Sequence, residues 1–208
     1  MSMKKITVLL VCILAILAMS LFACNQASEP SDSNNAHNPE YGETDTGDLD
    51  EKNILIAYFS CTGTTKSVAE KIKNVLDCDI FEIQPQIPYT NADLNYSNSN
   101  CRANVEQNDA SARPAIANSI ENFEYDVVFV GYPIWWGKAP KIIYTFLEQY
   151  DLSEKIIVPF CTSGGSSVSG SEGDLHALEP SATWKSGARF SSSTTQTTIS
   201  AWIDSLNL

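Results

Sequence analysis

The sequence predicts an α/β domain built on a parallel sheet. Two observations carry that prediction. Short apolar runs rich in β-branched and aromatic residues alternate with helix-period patterns from Asn53 to Leu208, the order expected of parallel strands joined by crossover helices. Three of the runs also end in glycine-containing loops, and open α/β sheets bind ligands at the carboxyl ends of their strands.

The first strand is Asn53–Phe59, an apolar run short enough for a buried strand. The turn Ser60-Cys61-Thr62-Gly63-Thr64-Thr65 follows it. A helix over Thr64–Leu76 comes next, with Val68, Ile72, Val75 and Leu76 on one face. The first N–H groups of a helix lack intrahelical partners and favour an anion, so this turn reads as a phosphate site or as a Thr-rich N-cap with no ligand. A P-loop is excluded, because Ser60 and Thr65 stand where its glycines belong. A dinucleotide fingerprint is excluded too, because Gly63 is the one glycine there.

The second strand is Asp79–Ile83. The polar stretch from Gln84 to Arg113 carries Pro85, Pro88, Tyr89, Tyr96 and Arg102; it reads as a cover over the ligand end of the sheet or as a surface excursion. A helix is expected over about Pro114–Asn122. The third strand, Asp126–Tyr132, leads into Pro133-Ile134-Trp135-Trp136-Gly137, with Lys138 the one cation beside it. Tryptophans on a loop at a strand's carboxyl end suit stacking on a flat ligand, and the adjacent glycine lets backbone approach; a local hydrophobic cluster is the alternative. A helix follows over Lys138–Tyr150. The fourth strand, Lys155–Cys161, ends in Thr162-Ser163-Gly164-Gly165, whose amides suit the polar edge of a ring. Helices over about Ser171–Leu178 and Thr194–Leu206 flank a fifth strand at Ala188–Phe190.

Ser60-x-Thr62-Gly63-x-Thr65, the Pro-x-Trp-Trp-Gly loop at 133–137 and the Gly/Ser loop at 162–165 together resemble the three flavin loops of flavodoxins, over about Asn53 to Leu208. The resemblance implies a flavodoxin-like three-layer fold, a five-stranded parallel sheet in order 2-1-3-4-5, and FMN as cofactor. It implies Ser60–Thr65 at the phosphate and Pro133–Gly137 and Thr162–Gly165 at the ring. No Tyr stands in the third loop to cover the outer ring face; Tyr89 or Tyr96 supplies one, or that face is open.

The N-terminus reads differently. Lys4 and Lys5 precede an apolar run, Ile6 to Ala23, which is an export signal or a membrane span. Leu21-Phe22-Ala23-Cys24 resembles a bacterial lipoprotein box and favours the first: residues 1–23 as signal peptide and Cys24 as the lipidated residue, with the protein anchored to the membrane outside the cytoplasm. Residues 24–51 are a disordered acidic tether, with eight acids and no Lys or Arg. The chain's formal charge is −12, but residues 52–208 hold seventeen acids and eleven bases, a net −6. That balance excludes nucleic-acid binding through a basic face.

No catalytic residues are assigned. His37 lies in the tether and His176 is alone in the domain, so neither a metal site nor a Ser–His hydrolase is expected. Cys61, Cys78, Cys101 and Cys161 show no CxxC spacing, and their disulfide state stays open. Three functions remain. One is an FMN electron-transfer protein serving a redox partner protein or small-molecule acceptor. The second is an FMN-dependent NAD(P)H oxidoreductase reducing a quinone or other small acceptor. The third is a flavin-free surface binding module.

Overall fold

The computed structural model describes residues 52–208. The signal segment, Cys24 and the tether lie outside the described residues. Among those described, no helix is long and apolar enough to cross a membrane.

The elements run β1 (Ile54–Tyr58), α1 (Thr64–Leu76), β2 (Asp79–Glu82), α2 (Arg102–Asn108), β3 (Val127–Pro133), α3 (Lys141–Gln149), β4 (Ile156–Thr162), α4 (Ser169–Leu178), β5 (Thr183–Trp184), β6 (Ala188–Phe190) and α5 (Gln196–Asp204). The strands pair in parallel in the order β2-β1-β3-β4-β5, with β6 also on β4. This is the sheet order the resemblance implies.

Side chains alternate across a strand, so each central strand feeds two cores. Leu55, Ala57, Val128, Val130 and Ile157 face α3 and α4, meeting Ile142, Phe146, Leu147 and Leu175. Ile54, Ile56, Val127, Phe129 and Val158 face α1 and α5, meeting Val68, Ile72, Ile199 and Ile203. Burial on both faces explains why β1, β3 and β4 read as unbroken apolar runs. Gly131 is required by packing: a Cβ there would lie 2.1 Å from the Phe160 ring.

One expectation is corrected. Residues 114–122 are not a helix. Gln86 N–H donates to the Ala115 carbonyl and Ala117 N–H to the Gln84 carbonyl, tying the segment as an extended edge to the chain after β2. The helix of this region is α2 instead, inside the long polar stretch. The fifth strand is present where expected, at Ala188–Phe190 as β6, but an additional short strand, β5, shares that edge of the sheet. β5 pairs with Ile156 and Ile157, β6 with Phe160–Thr162. Pro159 lies between these sets on β4 and has no N–H to give, and Gly187 passes so close that a Cβ would sit 2.7 Å from the Pro159 carbonyl oxygen.

Candidate functional site

The site is built where β1, β3 and β4 end. After β1 the chain turns at Gly63, whose φ of 84° falls in the left-handed region that favours glycine. Ser60 Oγ accepts from Gly63 N–H at 3.1 Å and closes the turn. Helix α1 then starts with no side-chain cap. Its first helical bond is Ser67 N–H to the Gly63 carbonyl, which leaves the amides of Thr64, Thr65 and Lys66 without helical acceptors. Thr65 is buried at 1% exposure and its hydroxyl pairs with Thr162 Oγ1 at 2.8 Å. Thr62 and Thr64 have hydroxyls with no partner among the described residues, and Ser60, which only accepts, keeps its O–H for a ligand.

The second loop is a tight hairpin. Trp135 N–H donates to the Lys138 carbonyl at 2.9 Å and Lys138 N–H returns to the Trp135 carbonyl at 3.0 Å. Trp136 and Gly137 between them have φ of 51° and 76°, the signature of a type I′ turn. Left-handed backbone costs a residue bearing a Cβ about 1–2 kcal/mol, so Trp136 is held there under strain. The two tryptophans separate completely. Trp135 is 4% exposed and edge-packed on Phe59 and Tyr89; Trp136 is 60% exposed. Its indole N–H donates to Asn104 Oδ1 at 2.5 Å, and Tyr96 meets its ring edge-on at 5.6 Å.

The long polar stretch does lie over this end of the sheet. Asn104 on α2 is its hub, donating to the carbonyls of Tyr96 and Asn98 while it accepts from Trp136. Asn91, Leu94 and Tyr96 line a cleft of about 430 Å³ together with Ser60–Thr62, Thr65, and Pro133–Trp135. A second cleft of about 300 Å³ shares Thr62 and Pro133 and adds Thr64, Thr162–Gly164, Ser191 and Ser192. The fifteen positions assigned from sequence thus sit at one end of the sheet, although Gly63, Trp136, Gly137 and Gly165 line neither cleft. Asn91, Leu94 and Asn104 carry no sequence signal, and Ser191 and Ser192 none beyond their loop position. Gly170 lets α4 pack directly on the second loop, because a Cβ there would lie 2.3 Å from the Gly137 carbonyl oxygen. A larger cleft of about 560 Å³ lies at the opposite end, around Asn53, Lys73 and Asp79, away from all three loops.

The charges nearby are paired. Lys138 reaches Asp174 at 2.6 Å and holds its carboxyl below the usual range. Arg102 reaches Glu106 at 2.6 Å. Tyr89 also donates to Glu106 and packs, partly buried, against the core, which leaves Tyr96 as the ring at the rim. The four cysteines among the described residues are free thiols. Burial pushes Cys61 up to about 12, so it is a protonated packing group at neutral pH. No cluster of three metal-ligating side chains occurs among the described residues.

A family model described as flavodoxin matches residues 53–206. Among solved structures, a candidate flavoprotein from Bacteroides eggerthii is 47% identical, with TM-score 0.72 over 76% of this chain and 99% of its own. One from Bacteroides uniformis is 39% identical, with TM-score 0.71 over 74% and 98%. A flavoprotein from Lactobacillus acidophilus, crystallised in complex with FMN, is 24% identical, with TM-score 0.59 over 76% and 99%. No curated protein matches. With a family match over nearly all of the described domain and close relatives aligned along almost their full length, this chain belongs to the flavodoxin family.

Proposed function

We propose that this protein binds FMN and carries electrons at the outer face of the cytoplasmic membrane, held there by a lipid on Cys24. The observation that carries the reading is one end of a sheet offering both an uncapped helix N-terminus among hydroxyls and an exposed indole held in a strained turn. The residues fit FMN group by group. The free amides of α1, with the Thr62 and Thr64 hydroxyls, suit a phosphate. Trp136 offers a flat apolar face to the ring. The amides of Gly164 and Gly165, without hydrogen bonds among the described residues, suit its polar edge. The Lactobacillus relative's complex with FMN supports the same ligand.

Bound FMN supplies one- and two-electron redox chemistry. The chain's part is to hold it and to set how readily it accepts negative charge. The domain carries a net −6, and Lys138 and Arg102 are neutralised by carboxylates. Charge added to a ring in the 430 Å³ cleft therefore meets no cation among the residues lining it. The second one-electron step should lie below that of free FMN, as a low-potential carrier requires. Spectroscopic redox titration tests this: a second step at or above the free-flavin value, with turnover of NADH or NADPH, replaces the carrier with a two-electron oxidoreductase. Cys24→Ser should release the protein from membranes, and unchanged attachment would reject the lipid anchor.

A further inference from the structure

A third cleft, of about 440 Å³, opens between α2, α3 and α4, behind the tryptophan turn. Its floor is the ring of Tyr144. Lys141 Nζ lies 4.3 Å from that ring's centroid and the Arg113 guanidinium 5.4 Å. The Tyr144 hydroxyl donates to Asp174, which Lys138 also reaches. Two cations thus lie over one aromatic ring, and a third shares the acceptor of its hydroxyl, in a domain that is acidic overall.

They are not equivalent. Arg113 is saturated: Nε and Nη2 take both oxygens of Glu148 at 2.7 Å, and Nη1 takes the carbonyls of Ala110 and Ala112. Lys138 has Asp174. Lys141 is only 7% exposed, yet among the described residues its ammonium has no hydrogen-bond or ion-pair partner. The side chain is covered, but the ammonium itself opens into the cleft, where water or an anion can meet it. Asp109 and Asp174 act on it only at a distance. Burial, then the Arg113 charge, holds the Lys141 ammonium below the ordinary lysine range. Lys141 is also the first residue of α3, where the helix dipole favours an anion.

We propose that this cleft binds a phosphate group, free or as a monoester, seated on the Lys141 ammonium. Lys138 can turn from Asp174 to a second oxygen. Ala110, Ala177 and Leu178 on the rim give the organic part of an ester an apolar surface. The site is separate from the loop at Ser60–Thr65 and does not depend on FMN binding there.

The test is a titration of the full chain, with and without FMN, followed by amide NMR shifts at constant ionic strength. The probes are inorganic phosphate, phenyl phosphate and succinate. Saturable shifts at Lys141, Tyr144 and Asp174 are expected with both phosphates. Equal affinities indicate the free anion, and tighter phenyl phosphate an ester. Lys141→Met should weaken binding roughly ten- to a hundredfold while leaving shifts at Thr62–Thr64 unchanged. Lys141→Arg, which keeps the charge, checks against misfolding and should retain part of the affinity. Absence of saturation, succinate bound as tightly as phosphate, or binding unchanged in Lys141→Met would each overturn the assignment.

Discussion

Removing Trp135 and removing Trp136 should have opposite consequences. Trp135 is 4% exposed and fills the space between Phe59 and Tyr89. Truncating a buried Trp to Ala costs about 3–5 kcal/mol. At a urea m-value of about 2 kcal/mol/M, the unfolding midpoint falls by roughly 2 M. Trp136 is 60% exposed at φ 51°. Trp136→Gly relieves strain of about 1–2 kcal/mol and adds unfolded-state entropy of about 0.5–1 kcal/mol. Water replaces the indole N–H at Asn104. The net change in stability should stay within about 1 kcal/mol. Stacking on a flat ring is worth about 1–3 kcal/mol, by analogy with bases on aromatic side chains, so FMN affinity should fall roughly five- to 150-fold. Urea unfolding of each apoprotein, with FMN titration followed by flavin fluorescence, measures both quantities. If Trp135→Ala leaves stability intact, or if Trp136→Gly leaves FMN affinity intact, the assignment of one tryptophan to the core and one to the ligand is wrong.

Three further outcomes follow from the same geometry. Thr65→Val strands the buried Thr162 hydroxyl and should cost about 1–3 kcal/mol of stability, with a smaller effect on FMN than Thr62→Ala. Gly170→Ala forces a methyl into the Gly137 carbonyl; overpacking of this kind costs about 1–3 kcal/mol, and FMN titration should show weaker binding because the displaced turn carries Trp136. Lys141→Met should be more stable than wild type at neutral pH in phosphate-free buffer. The Lys141 pKa is lowered in the folded state, so its penalty is full below the folded value and disappears above the unfolded one; chemical unfolding at stepped pH should show the advantage shrinking as pH rises towards the free-lysine range.

Much of the architecture is legible in the sequence because β1, β3 and β4 are buried on both faces and α1 has one apolar face. What escapes is decided by partners distant in sequence. Ile116 and Ile120 are spaced like a helix face, but backbone bonds to residues 84–86 and from Ile120 N–H to the Tyr150 hydroxyl claim the segment as extended chain. The Thr65 hydroxyl reads as an open ligand donor, yet it is buried against Thr162, 97 residues away. Two adjacent tryptophans read alike, and the positive φ at Trp136 sends one in and one out. Asn104 has no motif at all; its role exists only because α2 brings it against the turn. Lys138, the cation beside the ring loop, proves to be tied to Asp174, so its influence on bound flavin should be smaller than its position suggests.

The central claim is that FMN binds through its phosphate at Ser60–Thr65, and calorimetric titration of the apoprotein with FMN and with riboflavin tests it most directly. One FMN should bind per chain and riboflavin much more weakly. Thr62→Ala should cut FMN affinity roughly ten- to a hundredfold and change riboflavin affinity far less. Equal affinity for the two flavins, equal losses for both in Thr62→Ala, or no binding of either would contradict it.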